Sequence, residues 1–191
     1  MLAYPLIAGV LFGLYFSLVG IGLNLVFGVM RIVNLAHGDF LMLGAFVAFG
    51  VFYVLGLDPL LAVPLAFVLF VIVGIVLYGL LVPRLQQSRD PEMLSIILFF
   101  GLSQVIEALV TIAFGTSERS IPSRELGSLM TAVAKAFGAK PEGGPVDILG
   151  QSFPAAWVIA AVVSVIAIGL VYVYLYRTRL GTLTRAVMSR R

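Results

Sequence analysis

The residues of this chain best suited to chemistry lie in two places. Residues 28–40 read Gly28-Val29-Met30-Arg31-Ile32-Val33-Asn34-Leu35-Ala36-His37-Gly38-Asp39-Phe40, bringing together an arginine, an asparagine, the single histidine and an aspartate. The second group is Ser103, Gln104, Glu107 and Thr111. Ser103, Glu107 and Thr111 recur every four residues, which stacks them on one face of a helix. His37 with Asp39 two residues later falls short of the three or four ligands a metal needs, and no cofactor is expected. No nucleophile has a partnered base beside it. Glu107, His37 and Asp39 would be the acid–base groups of a membrane enzyme, but they fall toward opposite ends of their apolar segments and do not reach one another. No catalytic residue is assigned and the chain is not expected to be an enzyme. It has no cysteine, which excludes disulfides, zinc thiolates and thiol catalysis. It also has no phosphate-binding loop of the form G-x-x-x-x-G-K-[ST], so any use of ATP falls to a partner.

The elements that must position these residues are membrane helices. Of 191 residues 61% are hydrophobic and 11% charged, and mean hydropathy is +1.13. Soluble domains are about 45–50% apolar and about 25% charged. A soluble core of this size would leave too much apolar surface exposed, so the lipid bilayer is the expected solvent. Five runs reach the roughly 20 apolar residues a span needs: Pro5–Met30, Phe40–Leu57, Pro59–Val82, Met93–Gly115 and Pro154–Tyr176. Asp58-Pro59 marks a tight turn between the second and third. The fold class is all-α, a polytopic helix bundle. The N-terminus lacks a charged region ahead of its apolar run, so a retained span is expected and not a cleaved signal.

Charge sets the expected orientation. Arg31, Arg84, Arg89, Arg177, Arg179, Arg185, Arg190 and Arg191 share one side if five spans are present, which makes that side cytoplasmic. The N-terminus is then outside and the C-terminus inside. The net charge of +3 follows from this distribution, and no nucleic-acid partner is expected. Residues 1–176 form the expected transmembrane domain, and 177–191 a basic cytoplasmic tail. Segment 116–153 is an outer loop that carries a short amphipathic helix. In that helix Ser123 would cap, Glu125 would sit in the first turn, Lys135 near the end and Gly138 at the stop. Leu126, Leu129, Met130, Val133 and Phe137 would share one face. Lys140–Pro145 reads as a turn region.

Polar and small residues inside spans carry the functional reading. Gly9, Gly13, Ser17, Gly20, Asn24 and Gly28 are spaced 4, 4, 3, 4 and 4 apart, forming one face of the first span. Small residues allow helices to approach closely in lipid, so the face reads as a packing seam, or as a seam in which Asn24 also lines a path. Glu107 is an intramembrane carboxylate, either structural or facing a wet cavity. The apolar and polar residues interleaved over 31–39 fit a structural turn, or an interrupted helix that lines a solute path or gate.

The stretch Gly20-Ile-Gly-Leu-Asn-Leu-Val-Phe-Gly-Val-Met-Arg-Ile-Val-Asn-Leu-Ala-His-Gly-Asp-Phe-Leu-Met-Leu-Gly-Ala-Phe resembles the first-half signature of branched-chain amino-acid ABC transporter permeases. That signature reads G-L-N-L-x-x-G-x-x-x-x-x-N-x-A-H-G-[DE], followed by an apolar helix. Gly101-Leu102-Ser103 with Glu107 echoes the family, as do Phe114-Gly115 before Ile121-Pro122, and Tyr176-Arg-Thr-Arg-Leu-Gly181. The resemblance implies an inner-membrane importer permease that pairs with a second permease subunit. Two cytoplasmic ATPase subunits and an extracytoplasmic solute-binding protein complete the expected assembly. It carries over Asn34, His37, Gly38 and Asp39 as signature residues, and Asn24, Ser103 and Glu107 join them as candidate path residues. Related branches carry urea, which stays open as a substrate, and a membrane scaffold or enzyme stays open as a rival reading. Family members continue beyond Leu180-Gly181 into a coupling loop and further spans, so the chain reads as a fragment.

Overall fold

The computed structural model describes residues 2–121, 128–136, 138 and 145–189. Among these, the α-helices are α1 (Ala3–Met30), α2 (His37–Tyr53), α3 (Ala62–Gln86), α4 (Pro91–Phe114), α5 (Ser128–Ala136), α6 (Ala155–Arg177) and α7 (Arg179–Ser189). A short hairpin joins β1 (Val146–Ile148) to β2 (Gln151–Phe153). The helical, polytopic architecture expected from hydropathy is present. Two compact units are formed, 31–122 on one hand and 1–30 with 123–191 on the other.

In the unit 31–122, α2 and α4 run in the same direction and touch each other, and α3 runs back against both. Phe46 near the middle of α2 packs on Phe114 at the C-terminal end of α4, with ring centroids 4.4 Å apart. Phe40 at the start of α2 meets Phe70 of α3 at 6.1 Å. The connections are set by local chemistry. Asp58 accepts a hydrogen bond from the Leu60 N–H at 2.9 Å and opens a 3-10 turn, Pro59–Leu61, ahead of α3. Asp90 caps α4 by accepting from the Met93 N–H at 3.1 Å, with Pro91 at the first helical position.

The second apolar run differs from expectation at both ends. Hydropathy places it at Phe40–Leu57, whereas the helix is His37–Tyr53. At its C-terminus, Gly56 takes φ +65°. Its N–H bonds to the Phe52 carbonyl at 3.1 Å, and the Leu57 N–H bonds to Val51 at 3.1 Å. The Gly56-to-Phe52 bond is an αL stop, which hydropathy cannot see because Val54–Leu57 is itself apolar. Among the described residues, four helical segments are long and apolar enough to cross a membrane: Ala3–Met30, Pro59–Gln86, Pro91–Phe114 and Ala155–Arg177. α2 is a shorter apolar helix, roughly 26 Å long at 1.5 Å per residue.

In the other unit, α1 and α6 lie side by side. Tyr4 stacks on Phe153 at 4.9 Å and Phe12 tilts onto Trp157 at 4.6 Å. The hairpin turns through Leu149 and Gly150, both at positive φ, the geometry two-residue hairpins favour. Phe153 is fully buried. The segment in which an amphipathic helix is expected forms α5, with Leu129, Met130 and Val133 on it, and Gly138 at φ +84° donates to the Lys135 carbonyl at 3.0 Å. Ser123, Glu125, Leu126, Phe137 and 140–144 lie outside the described residues. The tail from 177 on contains a helix that was not anticipated. Thr178 Oγ1 accepts from the Gly181 N–H at 3.0 Å and donates to the Tyr174 carbonyl at 2.6 Å, making a sharp corner between α6 and α7. A Cβ at Gly181 would strike the backbone of Tyr174 and Leu175, so this corner admits only glycine. Arg185 of α7 lies over the Tyr176 ring at 4.4 Å, a cation–π contact.

The surface is what lipid requires. On α3, Phe67, Ile72 and Ile75 are 71%, 55% and 67% exposed, and no residue of α1 is buried. Faces this apolar are stable against hydrocarbon or other membrane helices.

Candidate functional site

The helix break comes first in the chain. α1 ends at Met30 and α2 begins at His37. Arg31 adopts φ +56°, a left-handed conformation that stops a helix and costs a non-glycine residue about 1 kcal/mol. Residues 31–36 then run without regular structure, and three contacts hold them. The Val33 N–H donates to Ser95 Oγ at 3.1 Å. Ser95 Oγ donates in turn to the Glu92 carbonyl at 2.7 Å. The Asn34 carbonyl accepts from the His37 N–H at 3.3 Å, which turns the chain into α2. Ser95 and Ala36 are fully buried and Ile32 nearly so. The Arg31 guanidinium stands 3.9 Å from the Glu92 carboxylate, both well exposed. These contacts satisfy part of the irregular backbone from within the protein.

The signature residues divide across this break. Asn34 lies within it, and its Oδ1 is buried without a hydrogen-bond partner, the kind of group that calls for an explanation. His37, Gly38 and Asp39 form the first turn of α2 instead of extending the junction, as the 31–39 reading had it. A helix N-terminus leaves N–H groups free and favours a carboxylate, so Asp39 belongs there.

The other group lies along α4. Counting from Ser95, Glu107 is roughly 18 Å further along the helix at 1.5 Å per residue. The break and Glu107 are therefore separate places, and the acid–base groups considered for an enzyme are not assembled. Glu107 and Thr111 line a cleft of about 400 Å³ together with Met42, Phe46 and Phe49 of α2 and Arg119 beyond α4. Arg119 donates to the Phe114 carbonyl at 3.0 Å and lies 5.9 Å from the centre of the Phe49 ring. Among the described residues, no hydrogen bond or ion pair engages the Glu107 carboxylate. Ser103 is half-buried on the same helix, one turn before Glu107.

Asn24 and the small-residue face belong to the other unit. Asn24 is exposed. Side chains added at Gly9, Gly13 or Gly20 would meet nothing within 4 Å, whereas one at Gly28 would meet Met188. Ser17 Oγ bonds back to the Gly13 carbonyl at 2.7 Å. The face is thus open over most of its length. Among the described residues, no group of three or more His, Asp or Glu could hold a metal ion. Ser95, whose partner is 62 residues away, carries no signal in the sequence, and Arg119 stands out there only as a loop cation.

Known proteins agree with one another on what this chain is like. The model of the family described as branched-chain amino acid transport system / permease component matches residues 6–190. A probable branched-chain amino acid transport permease protein LivH of Methanocaldococcus jannaschii is 28% identical over 90% of this chain and 50% of its own length. The high-affinity branched-chain amino acid transport system permease protein BraD of Pseudomonas aeruginosa is 25% identical over 95% of this chain and 57% of its own. The Escherichia coli high-affinity permease LivH is 26% identical over 69% of this chain and 44% of its own. The chain spans about half the length of these curated relatives. No solved structure gives a significant match. The match of nearly the whole chain to one family model, on a polytopic bundle whose signature residues mark a helix break, places this multi-pass inner-membrane protein in the branched-chain amino acid transport system permease component family.

Proposed function

We propose that this chain is a permease subunit of an ATP-driven importer for branched-chain or closely related amino acids, lining part of the translocation path without catalysing a reaction. The observation that carries this reading is the family match over residues 6–190. The break at 31–36 supports it, because an irregular, protein-pinned segment between apolar helices is how membrane transporters expose polar groups to a solute. On this reading Asn24, Asn34, His37, Gly38, Asp39, Ser103 and Glu107 face the path. Gly9, Gly13, Ser17, Gly20 and Gly28 form a seam for a neighbouring helix, and the open space beside most of them supports a partner outside this chain. Partners are a second permease subunit, two cytoplasmic ATPases that supply the energy, and an extracytoplasmic solute-binding protein. Residues 1–176 are the membrane part and 177–191 the cytoplasmic start of a coupling region. Nucleotide-driven closure of the ATPases shifts the permease between access states, because only a ligand with different affinity for two states can shift their balance.

Deleting the gene tests this directly. Uptake of labelled L-leucine, L-isoleucine or L-valine should fall in the deletion strain and return on complementation. Loss of urea uptake alone would move the reading to that solute, and unchanged uptake of all four would defeat it. Because the chain lacks cysteine, single cysteines report orientation cleanly. A cysteine at Glu118 should react with an impermeant thiol reagent in intact cells, and one at Gln87 only after the cytoplasmic face is opened.

A further inference from the structure

The cleft beside Glu107 combines three features in one place. Its wall is apolar, formed by Met42, Phe46, Phe49 and Val110. One side presents the Glu107 carboxylate, which no protein group engages among the described residues. Another presents the Arg119 guanidinium, which spends one donor on the Phe114 carbonyl and keeps others spare. Glu107 and Arg119 face the same space without forming an ion pair with each other. A mutual salt bridge would have explained both groups as structural. Glu118 also borders the cleft, on the segment after α4, while Glu107 projects from the helix beside the apolar wall. The volume of about 400 Å³ falls within the range of small-molecule sites, about 300–1,000 Å³.

The geometry points to this cleft as a docking site for the zwitterion of an apolar α-amino acid, with Glu107 receiving the ammonium, Arg119 the carboxylate, and Met42, Phe46 and Phe49 the side chain. It rests on the permease reading and narrows it to one place and one ligand chemistry. A carboxylate at membrane depth is costly when unpaired, and a passing ammonium relieves that cost for as long as the solute is present. An apolar amine or an apolar acid alone would satisfy only one of the two charges and leave the other exposed.

The test uses the natural gene product in its native membranes with a diazirine analogue of L-leucine. Photolabel is expected on 42–49 or on Val110, and excess L-leucine should suppress it. Isopentylamine, which lacks the carboxylate, and 4-methylpentanoate, which lacks the ammonium, should each compete about tenfold or more weakly, the order expected for one lost charged hydrogen bond. Glu107→Gln should close the gap between L-leucine and the acid, and Arg119→Gln the gap between L-leucine and the amine. Equal competition by all three compounds, or label confined to other segments, would overturn the proposal. The wild-type ligand series decides even if a variant fails to fold. Gene-dependent leucine uptake in the same cells separates the two readings. Uptake with label elsewhere removes the cleft and keeps the permease, whereas zwitterion-specific label without uptake removes the permease and keeps the cleft.

Discussion

The two ends of α4 treat polar groups in opposite ways. At its N-terminal end each has a partner: Asp90 caps the helix, Ser95 bridges Glu92 to Val33, and Glu92 faces Arg31. At its C-terminal half Glu107 and Thr111 open onto a cleft, and no protein group answers the carboxylate among the described residues. The first arrangement holds an irregular chain in place and the second leaves charge available. Residues at the closed end should therefore matter for stability, and those at the open end for the solute.

The largest stability effect is expected from Ser95→Ala. The hydroxyl is fully buried and serves as acceptor for one backbone group and donor to another. Its loss leaves the Val33 N–H without that acceptor, at about 1–3 kcal/mol. Hydrogen exchange at Val33 should accelerate by roughly ten- to a hundredfold, since 1.4 kcal/mol is a factor of ten. Exchange at the wild-type rate would mean that the break is held by something else. Next comes Asp90→Ala, which removes the side-chain cap of α4 and should cost about 1 kcal/mol. Faster exchange confined to the first turn of α4 would confirm it, and an unchanged first turn would count against the closed end as described.

How much of this was legible beforehand depended on the type of signal. Apolar run length revealed the long helices and the all-α class, because the bilayer imposes both. Asp58-Pro59 and Gly138 announced their turns through local chemistry alone. The end of α2 did not show in hydropathy: the chain stays apolar through Leu57, and the stop depends on Gly56 at positive φ. His37, Gly38 and Asp39 were grouped with the junction because they are polar, yet a helix N-terminus accommodates all three. The motif Asn34–Asp39 located the break but not what pins it, since Ser95 is an unremarkable residue of another apolar segment. Arg119 beside Phe49 was equally hidden, because a loop cation acquires meaning only when its loop folds back over a helix end.

Smaller effects sharpen the contrast. Arg31→Gln removes an exposed pair at 3.9 Å, worth about 0–1 kcal/mol and weakened further by salt. A thermal midpoint equal to wild type at high salt, and slightly below it at low salt, is the expected outcome. A large drop at both would mean that the Arg31 side chain does more than pair with Glu92.

The least effect on stability is expected where the solute reading is strongest. Glu107→Gln keeps the size and shape of the side chain and breaks no hydrogen bond or ion pair with the described residues, so unfolding should stay within about 0.5 kcal/mol of wild type. A membrane-depth carboxylate is costly to leave unpaired, so the amide should if anything stabilise the helix. Gene-dependent uptake should nevertheless fall about tenfold or more if the carboxylate receives an ammonium. A variant that transports normally at unchanged stability would make Glu107 a bystander. One that unfolds would make it structural, and the difference between the two ends of α4 would then disappear.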